Sequence, residues 1–213
     1  MLQKCMLITL PDFDRATHFL SAWSKEIIDD AEKRAIKVLE VKEPNIIMKN
    51  VNSLLDKQKP QLVILNGHGT INKIEGQNKE WIIIRGKNHQ KLRNKIVFAR
   101  SCSAASGIGI ELEGNNTGCF IGYQEDYAII PDRHGMSRPN QNRSSKPFKE
   151  SSNIIPLMLL AGKTANEAVE ESKKIMENYL ENQYMIDEDP RIFDVLAWNL
   201  SILTCVGNEN ATI

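Results

Sequence analysis

Two residues, His68 and Cys102, have the types and positions expected of a catalytic pair. His68 lies just after the apolar segment 61–65, and Cys102 lies just after a second apolar segment at 95–99. Such continuous apolar runs are typical of parallel strands buried on both faces. Ligands bind beyond the carboxyl ends of such strands, so neighbouring strands would bring the imidazole and the thiol together. Their separation of 34 residues fits one crossover between neighbouring strands.

An imidazole beside a thiol can take its proton and so produce the nucleophile of a cysteine hydrolase. Gly67 and Gly69 flank His68 and permit a sharp turn and a close approach of the backbone to a substrate. We also expect Cys102 to begin a helix, where free N–H groups favour a thiolate. The N–H groups of Gly69 and Cys102 are then candidate oxyanion donors, and one such donor can contribute about 10²–10³-fold in rate.

Each of these residues also has an ordinary structural explanation. A single cysteine at a strand end is commonly a small buried apolar residue, and a histidine between glycines is commonly part of a turn. The occurrence of both types at the ends of two buried strands favours the catalytic interpretation. The remaining histidines and cysteines show no metal-ligand spacing, and no complete dinucleotide-binding glycine motif is present, so the sequence predicts neither a metal nor another cofactor.

The elements that would position this pair follow from the hydrophobic pattern. Helical periodicity and Thr164-x-x-Glu167, a capping box, predict a long helix after residue 164. Alternating strands and helices predict an α/β fold, a three-layer αβα sandwich with a mostly parallel central sheet. The predicted strands are 5–10, 37–41, 61–65, 81–85, 95–99, 118–123 and 201–206, and further helices are predicted after residue 12 and at 46–55, 154–161 and 193–199.

Composition limits the classes of protein to which the chain can belong. A length of 213 residues predicts one domain, 1–213. Lys+Arg and Asp+Glu both number 27, so no overall field attracts nucleic acid or an anionic membrane. No apolar run is near the roughly 20 residues that span a bilayer, and the start lacks the long apolar core of a signal peptide, so we expect neither a membrane span nor a signal peptide. Four distant cysteines without a CxxC pair favour a reducing, cytoplasmic compartment.

Segment 131–152 differs in composition from the rest of the chain. It contains three prolines, several Ser and Asn residues, an excess of Lys and Arg, and few large apolar residues. We expect it to be a long, exposed and flexible loop, and long loops in compact domains are usually functional or disordered. It would shape a substrate groove, be cut during processing, or be a plain surface loop.

Two short segments resemble the His and Cys motifs of the caspase-like (clan CD) cysteine peptidases. They are 65–69, LNGHG, and 99–105, ARSCSAA. That group includes caspases, metacaspases, legumain, clostripain, gingipains and separase. Segments 118–123, 162–168 and 197–207 further resemble the bacterial CHAT domain, a caspase-like domain found with repeat domains. The caspase-type Q-A-C-x-G string is absent.

The resemblance implies a caspase/hemoglobinase-like fold and an endopeptidase that cleaves proteins or peptides without a cofactor. It implies that Cys102 attacks the scissile carbonyl, that His68 protonates the leaving amine, and that the Gly69 and Cys102 N–H groups hold the oxyanion. Bacterial relatives often act in defence or programmed cell death. A cytoplasmic protease would need restraint, which implies latency relieved by a regulatory protein or ligand. The alternative is a non-catalytic pseudoprotease or scaffold on the same fold.

Three charged residues are candidates for the S1 pocket. In the resembled group, the residue two positions before the catalytic cysteine often lines S1, and here that residue is Arg100. A guanidinium there would favour an acidic P1 side chain. Glu125 and Asp126 follow the next predicted strand and could reach the same pocket, where they would neutralise Arg100 or bind a basic P1 themselves. The sequence favours an acidic P1 and leaves a basic P1 open.

Overall fold

A six-stranded, mostly parallel sheet forms the centre of the molecule, in the order β2-β1-β3-β7-β8-β9. Neighbouring strands are parallel except β8 and β9, which are antiparallel. The second sheet, β4-β5-β6, is small and antiparallel. The strands are β1 (Cys5–Leu10), β2 (Lys37–Lys42), β3 (Leu62–Asn66), β4 (Gly69–Thr70), β5 (Lys73–Glu75), β6 (Trp81–Ile84), β7 (Ile96–Arg100), β8 (Cys119–Tyr123) and β9 (Leu203–Gly207).

Six helices accompany this sheet in the computed structural model, which describes residues 3–114, 117–131, 137–182 and 189–213. The core against one face contains residues of α1, α4, α5 and α6, and the core against the other contains residues of α2, α3 and the small sheet. The predicted three-layer α/β fold is therefore confirmed. The helices are α1 (Arg15–Lys33), α2 (Met48–Gln58), α3 (Ile108–Glu111), α4 (Lys146–Leu160), α5 (Ala165–Glu181) and α6 (Arg191–Ile202).

Local sequence explains where the two longest helices begin. Asp14 and Thr17 form a reciprocal capping box at the start of α1, and Thr164 and Glu167 form the predicted one at α5. Both boxes satisfy N–H groups that the first helical turn leaves unpaired. No helix within the described parts of the chain is long and apolar enough to cross a membrane.

Strands β3 and β7 end side by side. They are adjacent and parallel, and their last paired residues are Asn66 and Arg100. His68 and Cys102 each follow two residues later along their chains. The sheet therefore places the two candidate catalytic residues at the same edge, as the apolar runs predicted.

The prediction of a loop through residue 152 is wrong at its carboxyl end, because α4 begins at Lys146. Pro147 lies in the first turn, where a missing N–H does not break the helix. Phe148 and Ser151 are buried, and the Ser151 hydroxyl donates to the Pro147 carbonyl at 2.8 Å. Proline and serine are common in loops, but here Pro147 and Ser151 both suit a buried helix. Residues 132–136 lie outside the described residues, so processing of the segment stays a prediction.

Candidate active site

The loops that follow β3 and β7 pack directly against each other. A Cβ atom on Gly69 would lie 2.7 Å from the Cys102 carbonyl oxygen and 2.8 Å from the Ser101 Cβ. Real Cβ atoms do not approach so closely, so this contact requires glycine. The two residues proposed as oxyanion donors are therefore neighbours in space.

Asp14 holds the imidazole of His68. The His68 Nε2 atom lies 2.5 Å from Asp14 Oδ2, and the other carboxylate oxygen accepts the Thr17 N–H at 2.9 Å. Partial burial alone would raise the pKa of Asp14, but the hydrogen bonds from His68 and Thr17 hold it below its usual value. The ionised carboxylate therefore fixes the orientation of the ring.

Asp14 was not among the site residues predicted from the sequence. A signal was available, because Asp14 follows β1 as His68 follows β3. Strands β1 and β3 are adjacent and parallel, so the residues after them approach the same edge of the sheet. The strand order, which the sequence did not predict, was the missing information.

The backbone conformation of Gly67 determines the direction of the chain leading to His68. Its φ of +148° is rarely adopted by side-chain-bearing residues, and a Cβ there would lie 2.2 Å from the Glu75 carbonyl oxygen. The loop is closed by the Glu75 N–H, which donates to the His68 carbonyl at 2.8 Å. The small sheet thus fixes the backbone that carries the imidazole.

The Cys102 thiol is half-buried and donates to the Tyr127 carbonyl at 3.7 Å. Burial, and secondly the negative charge of Asp126, raise the pKa of this thiol. The expectation that Cys102 begins a helix that favours a thiolate is wrong. Ser103 is left-handed with φ 55°, the turn 104–106 is a 3₁₀ helix, and α3 has only four residues.

His68 and Cys102 have different hydrogen-bond partners within the described residues. Nε2 of the imidazole is engaged by Asp14, and the thiol is engaged by the Tyr127 carbonyl. Among the described residues, Nδ1 of this ring has no hydrogen-bond partner. Catalytic hydrogen bonds are commonly long or absent before substrate binds, so the arrangement is compatible with a dyad that tightens on substrate.

Glu125 and Asp126 lie beside the cysteine loop and are exposed. The Ser103 N–H donates to the Glu125 carbonyl at 2.9 Å, and the Ser103 hydroxyl donates to Asp126 Oδ1 at 3.2 Å. The indole N–H of Trp198 donates to the Asp126 carbonyl at 2.8 Å, while 45% of Trp198 stays exposed. The structure thus places the exposed Asp126 carboxylate beside the thiol, with the exposed Trp198 ring bound to the Asp126 backbone.

Arg100 does not line a pocket. It is fully buried, and its guanidinium donates to Asn66 Oδ1 at 2.7 Å, Asn153 Oδ1 at 2.9 Å and Ser24 Oγ at 2.6 Å. Burial lowers its pKa to about 10, so the group stays charged near neutral pH. This orientation contradicts the predicted S1 role of Arg100. Side chains alternate across a strand, and Arg100 points into the layer of α1 and α4.

Comparison with known proteins bears on the fold. No protein-family model and no curated protein sequence matches the chain. The crystal structure of the Arg-specific cysteine proteinase gingipain R (RgpB) has a TM-score of 0.64 and 12% identity, over 98% of this chain and 47% of that one. The complex of the Porphyromonas gingivalis RgpB pro- and mature domains has a TM-score of 0.60 and 11% identity, over 99% and 48%.

The chain therefore spans about half the length of the similar chains. At this identity, the likeness concerns the fold alone. The chain has the caspase-like α/β fold of gingipain R.

Proposed function

We propose that the chain is a cysteine endopeptidase with Cys102 as nucleophile and His68 as general acid and base. The observation that carries this proposal is the contact between the two loops, with Gly69 against Cys102 and with His68 held by Asp14. These roles are supported by position, because Asp14, His68 and Cys102 each follow one of three neighbouring parallel strands, at the edge where ligands bind in open α/β folds.

The reaction would proceed through an acyl-enzyme. Cys102 gives its proton to His68 Nδ1, and the sulfur attacks the scissile carbonyl carbon. The N–H groups of Gly69 and Cys102 stabilise the resulting oxyanion. His68 then protonates the leaving amine as the C–N bond breaks, and water hydrolyses the thioester to free the thiol and release the acid. Asp14 stabilises the imidazolium formed between these steps.

The charge beside the thiol favours a cationic P1 side chain, opposite to the preference inferred from Arg100. Asp126 is exposed next to Cys102, and Arg100 is buried away from the site. A guanidinium or ammonium could pair with the Asp126 carboxylate and stack on the exposed ring of Trp198. The similar gingipain R is described as Arg specific, which agrees with this proposal.

A panel of fluorogenic peptides that differ only at P1 tests the proposed function. We expect wild-type protein, with reductant at near-neutral pH, to cleave after Arg or Lys with a kcat/KM at least about 10²-fold above that for Asp or Glu. Cys102→Ala should cleave none of them. Cleavage after Asp or Glu but not after Arg or Lys would contradict the proposed S1 pocket.

Asp126→Asn should have two opposite effects. Loss of the carboxylate should lower kcat/KM for a P1 Arg peptide by about 10-fold or more, as a charge-assisted pair is lost. Removing the anion should also lower the pKa of the Cys102 thiol, so alkylation by iodoacetamide should become faster at a given pH below that pKa. Glu177→Gln, an exposed change on α5, is the control. Unchanged alkylation of Cys102 in Asp126→Asn would contradict this assignment.

The alternative function is a non-catalytic scaffold on the same fold. The observation that favours it is the thiol itself, which donates to the Tyr127 carbonyl and has a raised pKa. A scaffold would show slow alkylation of Cys102, similar to that of Cys205, with or without peptide. A peptidase would show selective alkylation of Cys102 that peptide substrate slows by competition.

We further infer a single CHAT-type domain over 1–213 that is latent, with only a low basal activity on peptides, until a protein partner or ligand acts. One similar structure contains RgpB pro- and mature domains in complex, which supports regulation by a protein partner. All four cysteines are free thiols, which agrees with a cytoplasmic location. A bacterial role in defence or cell death belongs to the same proposal.

A further inference from the structure

A buried polar cluster lies beneath the two candidate catalytic loops. We call it the Arg100 cluster, and each of its members is at most 1% exposed. Within the described residues, the hydrogen-bond acceptors of the Arg100 guanidinium are two side-chain amides, a hydroxyl and a backbone carbonyl, with no carboxylate among them. The cluster consists of Thr9, Ser24, Asn66, Arg100 and Asn153.

The cluster joins the two strand ends that lead into the site. Arg100 Nε donates to Asn66 Oδ1 at 2.7 Å, and these two residues are also paired across β3 and β7. The Asn66 amide nitrogen in turn donates to the Thr9 carbonyl of β1 at 2.6 Å. Three neighbouring strands are thus cross-linked two residues before His68 and Cys102.

The same guanidinium is held from the helical layer. Nη1 donates to Asn153 of α4 at 2.9 Å, and Nη2 donates to Ser24 of α1 at 2.6 Å. Ser24 also accepts from the Asn66 amide at 3.1 Å, and Asn153 donates to the Trp23 carbonyl at 2.9 Å. The planar guanidinium of Arg100, whose donors point in fixed directions, therefore holds the ends of β3 and β7 in position relative to α1 and α4.

Stability alone does not account for such a group. A buried ionic group can often be replaced by packed apolar residues without loss of stability, although removing one partner of such a cluster is costly. A buried polar network can instead specify one geometry. Catalysis needs that geometry, because a displacement of about 1 Å can cost about 10²-fold in rate.

We propose that Arg100 is a positioning residue, whose guanidinium sets the spacing of the His68 and Cys102 loops through Asn66, Ser24 and Asn153. This inference rests on the proposed peptidase function for its kinetic consequence. Arg100 touches no substrate, so its loss acts on kcat rather than on KM.

The test compares two buried changes in the same helical layer. Asn153→Ala removes the α4 anchor and leaves Arg100 in place. Ser172→Ala removes a buried hydroxyl of α5 that donates to the Ser151 carbonyl at 2.7 Å, outside the Arg100 cluster. We expect Asn153→Ala to lower kcat by about 10-fold or more with KM unchanged. Ser172→Ala should lower Tm by a similar amount but leave kcat unchanged. Arg100→Lys, which keeps the charge but not the fork, should lower kcat as Asn153→Ala does.

Amide hydrogen exchange provides a readout that does not need turnover. Asn153→Ala should speed exchange in 67–69 and 101–103, and Ser172→Ala should not. Equal loss of kcat in the two variants, or unchanged exchange in both loops of Asn153→Ala, would overturn the positioning role. If wild-type protein cleaves no peptide, the proposed function fails, and the exchange measurement still decides whether the cluster positions the loops.

Discussion

Replacing Cys102 by alanine is expected to reduce kcat for peptide hydrolysis by on the order of 10⁴–10⁶-fold. His68→Ala should reduce it nearly as far, because the thiol keeps its proton without the imidazole. The side chains act as one unit, so the double variant should be hardly worse than either single variant. Steady-state kinetics on a P1 Arg peptide, with Tm as the check on folding, measures this. If the fold-losses in kcat of the two single variants multiplied in the double variant, the two side chains would not act in one mechanism.

Asp14 permits a milder test of the same catalytic residues, in which only the charge that faces His68 is removed. Asp14→Asn keeps an oxygen that can cap α1, but it loses the negative charge that faces His68. We expect kcat to fall by on the order of 10²–10⁴-fold, since a neutral partner no longer stabilises the imidazolium and can favour the wrong tautomer. The control is Thr164→Ala, which weakens the cap of α5 away from the site. Equal kcat in Asp14→Asn and wild type would show that the carboxylate only caps the helix.

Gly67→Ala is expected to lower both the stability and the activity of the protein. An alanine Cβ would lie 2.2 Å from the Glu75 carbonyl oxygen, and the residue would have to keep a φ of +148°. The loop must move, and the imidazole moves with it. We expect a loss of about 1–3 kcal/mol in the free energy of unfolding and a fall in kcat of at least about 10²-fold.

Gly86→Ala is the matched control for this substitution. Gly86 also has positive φ, +76°, but nothing lies within 4 Å of the position that an alanine methyl group would take. It should lose about 1–2 kcal/mol in stability, the cost of a left-handed alanine, and keep full activity. Thermal unfolding and kcat measured on both variants separate backbone strain from displacement of His68. Full activity in Gly67→Ala would contradict the role given to this loop.

The sequence predicted the strands that carry the site because their apolar runs are continuous. The segments 61–65 and 95–99 could be buried only in the middle of a sheet, and β3 and β7 are there. Their adjacency then brought the His68 and Cys102 loops together. This part of the fold was predictable because a strand buried on both faces is apolar at nearly every position, whichever strands lie beside it.

The features that were not predictable depend on contacts between distant segments. The direction of Arg100 is decided by acceptors on α1 and α4, far away in the sequence. The start of α4 was missed because Pro147 and Ser151 also suit loops, and only burial distinguishes the two states. Residues 70–80 were assigned no strand, because the short strands β4 and β5 carry too few residues to show a period.

Mass-spectrometric mapping of a peptidyl acyloxymethyl ketone with Arg at P1 tests the central claim most directly. The reagent forms a thioether with a cysteine that recognises the peptide, whether or not turnover is fast. We predict one adduct, on Cys102, which is lost in His68→Ala and is not formed with the P1 Asp reagent. An adduct spread over Cys5, Cys119 and Cys205, or no adduct on Cys102 with any P1 residue, would contradict the assignment of Cys102 as the nucleophile.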